Sequence, residues 1–464
     1  MNTYNFIDLF AGCGGLSEGF YRQGFYALAH VEIDPVACRT LRTRMKHYGY
    51  DDADAAVLEM DITREDVLDR IGDVVRGREV DLIIGGPPCQ AYSSLGRAKD
   101  DNGMQDDPRN YLFESYVRVL NHYKPKFFVF ENVTGMLNAK VNGELIVNRI
   151  VAALGENYKV KFNPQMMVLN SVHYGVPQIR KRVIIMGVRK DVCLEPGELY
   201  AGILKTHYGP EEEPVHESVA AGIGGVESPG KAGEAGACGV GASGGAVPAG
   251  TGGLKRYVTV RDAIGELPAL RPGEGEPVVP FESRRDNEFL RRIRREDDKV
   301  LRDHVARNHN GLDVERYTVM SANHWTFQEL LEKRPDLRHE KQRVFGNSYV
   351  VQWWDLPSKT IIAHLYKDGN QFIHPDSSQG RTFTVREAAR LQSFPDDFIF
   401  EGPRTEQFKQ VGNAVPPLFA EAIAKCLKEK LELSRLISSG DTSNKRSVCE
   451  PVCNSKPGGV GGGK

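Results

Sequence analysis

A cysteine set in Gly85-Gly86-Pro87-Pro88-Cys89-Gln90 is the residue of this sequence best placed for covalent chemistry. It follows an apolar run at residues 80–84 that reads as a strand. The thiol would therefore sit past a strand's carboxyl end, where open α/β sheets place their active sites. Two prolines stiffen the loop, and Gln90 rather than an apolar residue follows. A rigid, partly exposed thiol beside a crevice suits a nucleophile, although a generic cysteine is more often a small buried hydrophobe. Glu131-Asn132 closes the next apolar run, at 127–130, and would bring a carboxyl alongside. On position alone that carboxyl serves equally as an acid in the chemistry or as an ion-paired cap.

A second constellation lies near the N-terminus. An apolar run at 4–10 leads into Gly12-Cys13-Gly14-Gly15, a helix is expected from about Ser17, and a second run at 27–31 ends at Glu32-Ile33-Asp34. Strand, glycine turn, helix and then an acid is the recipe for holding a nucleoside. The glycines let the backbone approach closely, and the acid accepts from ribose hydroxyls. Glu32 lies 20 residues after Gly12, as that recipe asks. The dinucleotide version wants a third glycine where Ser17 stands, which argues against a pyrophosphate cofactor and for S-adenosylmethionine. Asp61, in Met60-Asp61-Ile62-Thr63, stands where a third strand would end and could accept from the adenine amino group. A plain tight turn with a surface carboxylate is the competing reading of the same residues.

These residues need a scaffold, and the rhythm of the first 190 residues supplies one. Apolar runs alternate with helical stretches, including one at 111–123, which predicts βαβ units and a mostly parallel sheet with helices on both faces. Near Val168 and at 183–188 the pattern changes to two β runs that suggest an antiparallel pair. From 191 to 380 the rhythm is lost, and helical order returns at 384–393 and 416–433. The chain has 464 residues, 40% hydrophobic and 26% charged, which is ordinary for a soluble protein with ample core. It carries 48 glycines, of which thirteen fall in residues 222–253 and five in 458–463, marking a low-complexity insert and a loose tail. No apolar run reaches membrane-spanning length and no basic signal-peptide start is seen. Eight scattered cysteines suit reduced thiols in a cytoplasm, and a net charge of −2 confines any nucleic-acid site to a local basic surface.

With these residues in hand, the sequence resembles the DNA cytosine-5 methyltransferase family. Phe6-Ile7-Asp8-Leu9-Phe10-Ala11-Gly12-Cys13-Gly14-Gly15 is similar to its cofactor motif, Gly86-Pro87-Pro88-Cys89-Gln90 to its nucleophile motif, and Glu131-Asn132-Val133 to its acid motif. Gln178-Ile179-Arg180-Lys181-Arg182 matches Gln-x-Arg-x-Arg. The run from Arg381 to Pro395 resembles the ninth motif, with Phe383 where leucine is usual, and Gly412-Asn413-Ala414-Val415-Pro416-Pro417 the last. The resemblance implies an α/β fold: a Rossmann-like S-adenosylmethionine-dependent methyltransferase sheet with a second, smaller, irregular target-recognition domain. The expected division is a catalytic domain at 1–190, a recognition region at 191–380 with a glycine-rich insert at about 209–253, a return to the catalytic domain at 381–434, and a disordered tail at 435–464.

The resemblance also implies a mechanism. Cytosine carbon 5 is a poor nucleophile; addition of the Cys89 thiolate to carbon 6 activates it for methylation, after which the carbon 5 proton and the thiolate leave. Glu131 would stabilise charge on ring nitrogen 3, Arg182 would hold the carbonyl oxygen, and Arg180 would orient Glu131 or the thiolate loop. Taken alone, the two arginines read as an exposed basic strand edge. Implied cofactor contacts are Phe10, Gly12, Gly14, Gly15, Glu32, Asp61 and Asn413, with Ile33 stacking on adenine and Pro88 and Leu112 lining the methionine end. The target base would be flipped out of duplex DNA, with residues 90–109 closing over it.

Residues 282–307 hold nine Lys/Arg and seven Asp/Glu and read as a solvated, salt-bridged helix, with phosphate contacts at Arg291, Arg292, Arg294 and Arg295. His304 with His309, and Cys449 with Cys453, lack metal-ligand spacing, so no metal is expected. Trp353-Trp354 reads as core packing rather than base stacking. An RNA substrate and a catalytically dead regulatory module are the alternatives. The long middle region argues against the first, and the presence of Cys89, Glu131 and Arg182 against the second. Amino-methylating enzymes use an acidic or polar residue before Pro-Pro, which Gly86-Pro87-Pro88-Cys89 does not provide. A monomer acting on duplex DNA in the cytoplasm is expected, with a separately acting restriction endonuclease left open as its companion.

Overall fold

The computed structural model describes residues 3–88, 108–212, 253–282, 285–295, 298–338 and 349–438. Its centre is an eight-stranded sheet made of β1 (Asn5–Leu9), β2 (Tyr26–Glu32), β3 (Val57–Glu59), β4 (Leu82–Gly85), β5 (Phe127–Val133), β6 (Tyr158–Val160), β7 (Val168–Asn170) and β8 (Lys181–Arg189). The spatial order is β3-β2-β1-β4-β5-β8-β6, with β7 also paired to β8. The first five strands run parallel, and β8 lies antiparallel to β5, β6 and β7. The apolar runs of β1, β2, β4 and β5 are buried along most of their length, as a parallel sheet covered on both faces requires. The expected Rossmann-like sheet and the antiparallel pair near Val168 are both present.

Helices α1 (Gly15–Arg22), α2 (Pro35–His47), α3 (Val67–Val75), α4 (Leu112–Tyr123) and α5 (Ile146–Leu154) belong to this part of the chain. Helix α2 starts where it does because the Asp34 carboxylate accepts from the Val36 and Ala37 amides and Pro35 fills the first turn. Further along come α6 (Gly311–Asn323), α7 (Phe327–Lys333), α8 (Val385–Leu391), α9 (Arg404–Asn413) and α10 (Pro417–Ser438). A capping box between Thr384 and Glu387 opens α8. Helix α10 runs to Ser438, four residues into the span expected as a tail; the remainder of that span lies outside the described residues. Among the described residues no helix is long and apolar enough to cross a membrane.

The main hydrophobic core takes in the sheet, α8–α10 and also Leu194, Leu199, Val260, Ile264, Phe289 and Ile293, which lie in the span expected as a recognition region. A separate cluster of Tyr317, Met320, Phe327, Leu330, Leu337, Tyr349, Val351 and Ile373 forms a second, smaller core within the span expected as a recognition region. Trp354 packs on the first core and Trp353 on the second. The glycine-rich insert lies almost wholly outside the described residues.

Residues 282–307 are not a solvated helix. Among the described residues of that span the helix is only Glu288–Ile293, followed by a strand at Val300–Arg302, and Phe289, Leu290, Ile293, Leu301 and Ala306 are buried. Its arginines are neutralised by partners distant in sequence or across a turn: Arg294 pairs with Glu266, Arg292 with Glu421 and Arg291 with Asp286. All three side chains are paired with carboxylates, Arg291 and Arg292 at the surface and Arg294 largely buried. The Arg295 backbone amide donates to Asp298.

Candidate active site

Because β1 to β5 are parallel, their carboxyl ends share one edge of the sheet, and the antiparallel β8 begins at that same edge. Phe10, Glu32, Asp61, Gly86 and Glu131 follow or end those strands, and Arg182 stands at the start of β8. The topology thus gathers residues separated by more than 170 positions onto one rim.

On one half of the rim, Phe10 takes a left-handed backbone (φ 59°), unusual for an aromatic residue and typical of strain stored at functional sites. Gly12 (φ 55°) and Gly14 (φ 89°) make the turn, and nothing among the described residues lies within 4 Å of where a Gly12 Cβ would be. The Gly12 amide donates to Glu32 Oε2 at 2.7 Å, and the Ile33 and Asp34 amides donate to Oε1 at 2.9 and 2.8 Å. Burial pushes the Glu32 carboxyl above its ordinary value, against the pull of these three donors. A carboxylate offers about four acceptor positions, so one on Oε2 remains for a ribose hydroxyl. Ile33, next to it, is 64% exposed, a large apolar side chain with an open face. Asp61 Oδ1 accepts from the amide and hydroxyl of Thr63, and Asp61 itself is exposed. These features fit an adenosine group: a glycine cradle, a bonded acid and an apolar platform.

The C-terminal motif closes this half. A Cβ on Gly15 would lie 2.5 Å from the Val415 carbonyl oxygen and 2.9 Å from Ala414 Cβ, so residues 414–415 rest directly on the turn. Asn413, at the end of α9, is exposed beside them. Helix α9 is held to the same neighbourhood by Gln410, whose carbonyl lies 3.7 Å from Cys13 Sγ and whose Oε1 accepts from the Thr40 hydroxyl.

On the other half, Gly85 and Gly86 are required by close approach. A Cβ on Gly85 would lie 2.2 Å from the Leu9 carbonyl oxygen, and one on Gly86 2.6 Å from Glu131 Oε2. The side chain of Asn132, 1% exposed, donates to the Pro87 carbonyl at 3.1 Å and accepts from the Val133 amide. It thereby fixes the backbone two residues ahead of Cys89. Pro88 is half-buried; Cys89 and the segment to 107 lie outside the described residues. Leu112, first residue of α4, is half-buried against the main core. Arg182 Nε meets Glu131 Oε1 at 2.9 Å, a pairing made possible by the register that sets Arg182 opposite Val133 and Ile184 opposite Glu131.

Arg180, expected to orient Glu131 or the thiolate loop, has backbone carbonyls among its partners. It is buried, donating to the Ile361 carbonyl at 2.6 Å and the Gly412 carbonyl at 3.1 Å. Its guanidinium ties two C-terminal segments to the sheet, because a buried guanidinium demands acceptors and those backbone oxygens supply two of them. Asn132 was legible as a motif letter but not as the clamp on Pro87, which depends on β4 and β5 being neighbours. His304 bonds the Pro268 carbonyl and the Thr384 hydroxyl, and His309 accepts from the Thr382 amide.

A family model described as C-5 cytosine-specific DNA methylase matches residues 4–229 and 271–429. The chain is 33% identical over 489 aligned residues to the type II methyltransferase M.Bpa9945I of Bacillus paralicheniformis, covering 91% of this chain and 98% of that protein. It is 32% identical to the type II methyltransferase M.DdeI of Desulfomicrobium norvegicum, covering 96% and 93%. In fold it resembles the solved structure of an E. coli prophage-encoded protein assigned as a DNA modification methyltransferase, with a TM-score of 0.60 and 22% identity over 93% of this chain and 100% of that one.

Proposed function

We propose, for a chain that belongs to the C-5 cytosine-specific DNA methylase family, that it methylates carbon 5 of cytosine within a short duplex DNA sequence, with S-adenosylmethionine as donor and Cys89 as nucleophile. Membership makes it a DNA cytosine-5 methyltransferase; the donor, the residues and the route are the proposal. The observation that carries the route is the Glu131–Arg182 pair, seated against Gly86 and one side chain away from the clamp on Pro87.

Phe10, Gly12, Gly14, Gly15, Glu32, Ile33, Asp61, Pro88, Leu112 and Asn413 would hold the donor, which when bound supplies an electrophilic methyl. Glu32 takes a ribose hydroxyl, Ile33 covers one adenine face, and the Gly12 turn leaves room for the backbone to approach. A stacked base hides carbon 6, so the target cytosine leaves the duplex. The Cys89 thiolate then adds to carbon 6, moving the electron pair toward carbon 5 and nitrogen 3. Glu131 meets the charge at nitrogen 3, and Arg182 keeps that carboxyl in place through Nε and would hold the cytosine carbonyl oxygen. After methylation the carbon 5 proton is lost and the Cys89–carbon 6 bond breaks, which restores the aromatic ring and the thiolate. A restriction endonuclease of matching specificity, acting separately, is the companion this activity would protect against.

Expression in a host without cytosine methylation, followed by bisulfite sequencing, should reveal one short protected sequence. An unmethylated genome despite soluble protein that binds S-adenosylmethionine would overturn the DNA target. Cys89→Ala should lose turnover and keep donor binding, and 5-fluorocytosine at the target should trap a covalent adduct. Residual turnover or no adduct sinks the addition–elimination route.

A further inference from the structure

We propose that Arg118 is the positioning residue of the adenine end of the donor site, setting donor affinity without touching the reacting atoms. The inference rests on S-adenosylmethionine as donor. It starts from the loop that carries Asp61. Residues 60–64 leave β3 in a turn closed by the Arg64 amide donating to the Asp61 carbonyl at 3.3 Å, with Asp61 Oδ1 accepting from the Thr63 amide and hydroxyl. At its start the loop is tied to the Glu32 end of β2, where the Met60 amide donates to the Glu32 carbonyl at 2.9 Å. At its far side it is tied to α4. There the Nη2 of Arg118 donates to the Ile62 carbonyl at 2.9 Å and to the Arg64 carbonyl at 2.7 Å. Ile62 is buried beneath the loop, whereas Arg64 points its own guanidinium outward to Asp66.

One guanidinium nitrogen thus spans the turn that presents Asp61. The carbonyls it holds flank Thr63, and the Ile62 carbonyl shares its peptide plane with the Thr63 amide, so holding it fixes the donor on which the Asp61 side chain rests. Helix α4 is also the element that follows the segment 89–107, so the residue that holds the adenine loop lies on the same rigid body as Leu112 at the methionine end. Two ends of one ligand are then aligned by one helix. A guanidinium suits this use because it stays charged and donates along fixed directions. A loop allowed to wander must be ordered on each binding event, and that ordering weakens affinity while leaving transfer within the complex unchanged.

The test uses the full-length protein, with S-adenosylhomocysteine as calorimetric probe and steady-state turnover on methylatable DNA. Arg118→Met should weaken probe binding about tenfold and raise the donor KM in step, with kcat at saturating donor within about twofold of wild type. Arg118→Lys should recover part of the loss, since one ammonium can donate to both carbonyls. The double variant with Asp61→Ala should bind little worse than Asp61→Ala alone, because both changes remove the same contact. Unchanged binding in Arg118→Met overturns the proposal, as does a kcat loss at unaltered KM or full additivity with Asp61→Ala. If Arg118→Met fails to fold, Arg118→Lys carries the same comparison. Wild-type protein that does not bind the probe overturns the donor itself, whereas binding by wild type and Arg118→Met alike overturns only Arg118.

Discussion

Arg180 and Arg182 are two residues apart, chemically identical, and used for different ends. Arg182 keeps a partly accessible guanidinium on Glu131, while Arg180 is buried on the carbonyls of Ile361 and Gly412. Composition and spacing could not separate them, because which carbonyls approach Arg180 depends on segments some 180 and 230 positions away. Removing each should therefore read out differently. Arg182→Ala should lower kcat by about a hundredfold or more, the usual cost of losing a preorganised charge, with Tm within a few degrees of wild type. Arg180→Met leaves two buried carbonyls without a donor and should cost about 3 kcal/mol in stability, seen as a large fall in Tm. A stable Arg180→Met protein with a selective kcat loss would place that residue in the chemistry instead. Gly86 teaches the same lesson. It reads in sequence as a turn glycine, yet its need is tertiary, since the Glu131 carboxylate occupies the space a side chain would take.

At the level of elements, strands β1, β2, β4 and β5 and helices α4, α8 and α10 were readable to within a few residues because each has a continuous or periodic apolar pattern of its own. The stretch 282–307 was not. Its charges suggested solvent, but the apolar residues Phe289, Leu290 and Ile293 seek the main core, and the arginines find carboxylates on other elements. A charge count sees no partner that lies outside its window. The crossing of α1 and α10 was equally invisible. A Cβ on Gly19 would lie 2.3 Å from the Glu421 amide nitrogen and 2.4 Å from the Ala420 carbonyl carbon, so the helices meet backbone to backbone. Gly19→Val should force them apart at a cost of roughly 3 kcal/mol, somewhat above ordinary overpacking because backbone cannot rotate away. Since α1 opens from the glycine turn and α10 follows Asn413, the variant should also bind S-adenosylhomocysteine more weakly. A normal Tm and normal binding would show that the crossing tolerates a side chain.

Over the whole molecule, the return of the chain to its first helix came from family resemblance and could not be read from spacing. The junction it creates is built on buried groups, and this makes folding sensitive to acid. His207, His304 and His374 are all shifted below their ordinary value of 6.5 by burial, to about 4 for His207 and about 3 for His374. His374 accepts the Asp376 amide on Nδ1 and lies 3.5 Å from a Glu387 already paired with Arg381, so the ring stays neutral. The unfolded chain then binds more protons below about pH 6.5. Stability is full above that value and declines as pH falls, by up to about 1.4 kcal/mol per pH unit for each ring. Thermal melts should show Tm several degrees lower at pH 5.5 than at 7.5, and a flat profile would refute the neutral rings. The glycine surplus belongs to this scale too. On either side of the insert the chain comes back together, for His207 and Tyr208 pair in parallel with Lys255 and Arg256, and the Lys255 amide donates to the Thr206 carbonyl at 3.0 Å. Closing that gap does not need the residues between. Replacing 213–252 with a linker of about eight Gly and Ser residues shortens a loop about fivefold, which should leave stability equal or raise it by roughly 1 kcal/mol. The bisulfite pattern should be unchanged. A folded deletion variant that no longer methylates would mean that the segment orders on DNA and belongs to target recognition.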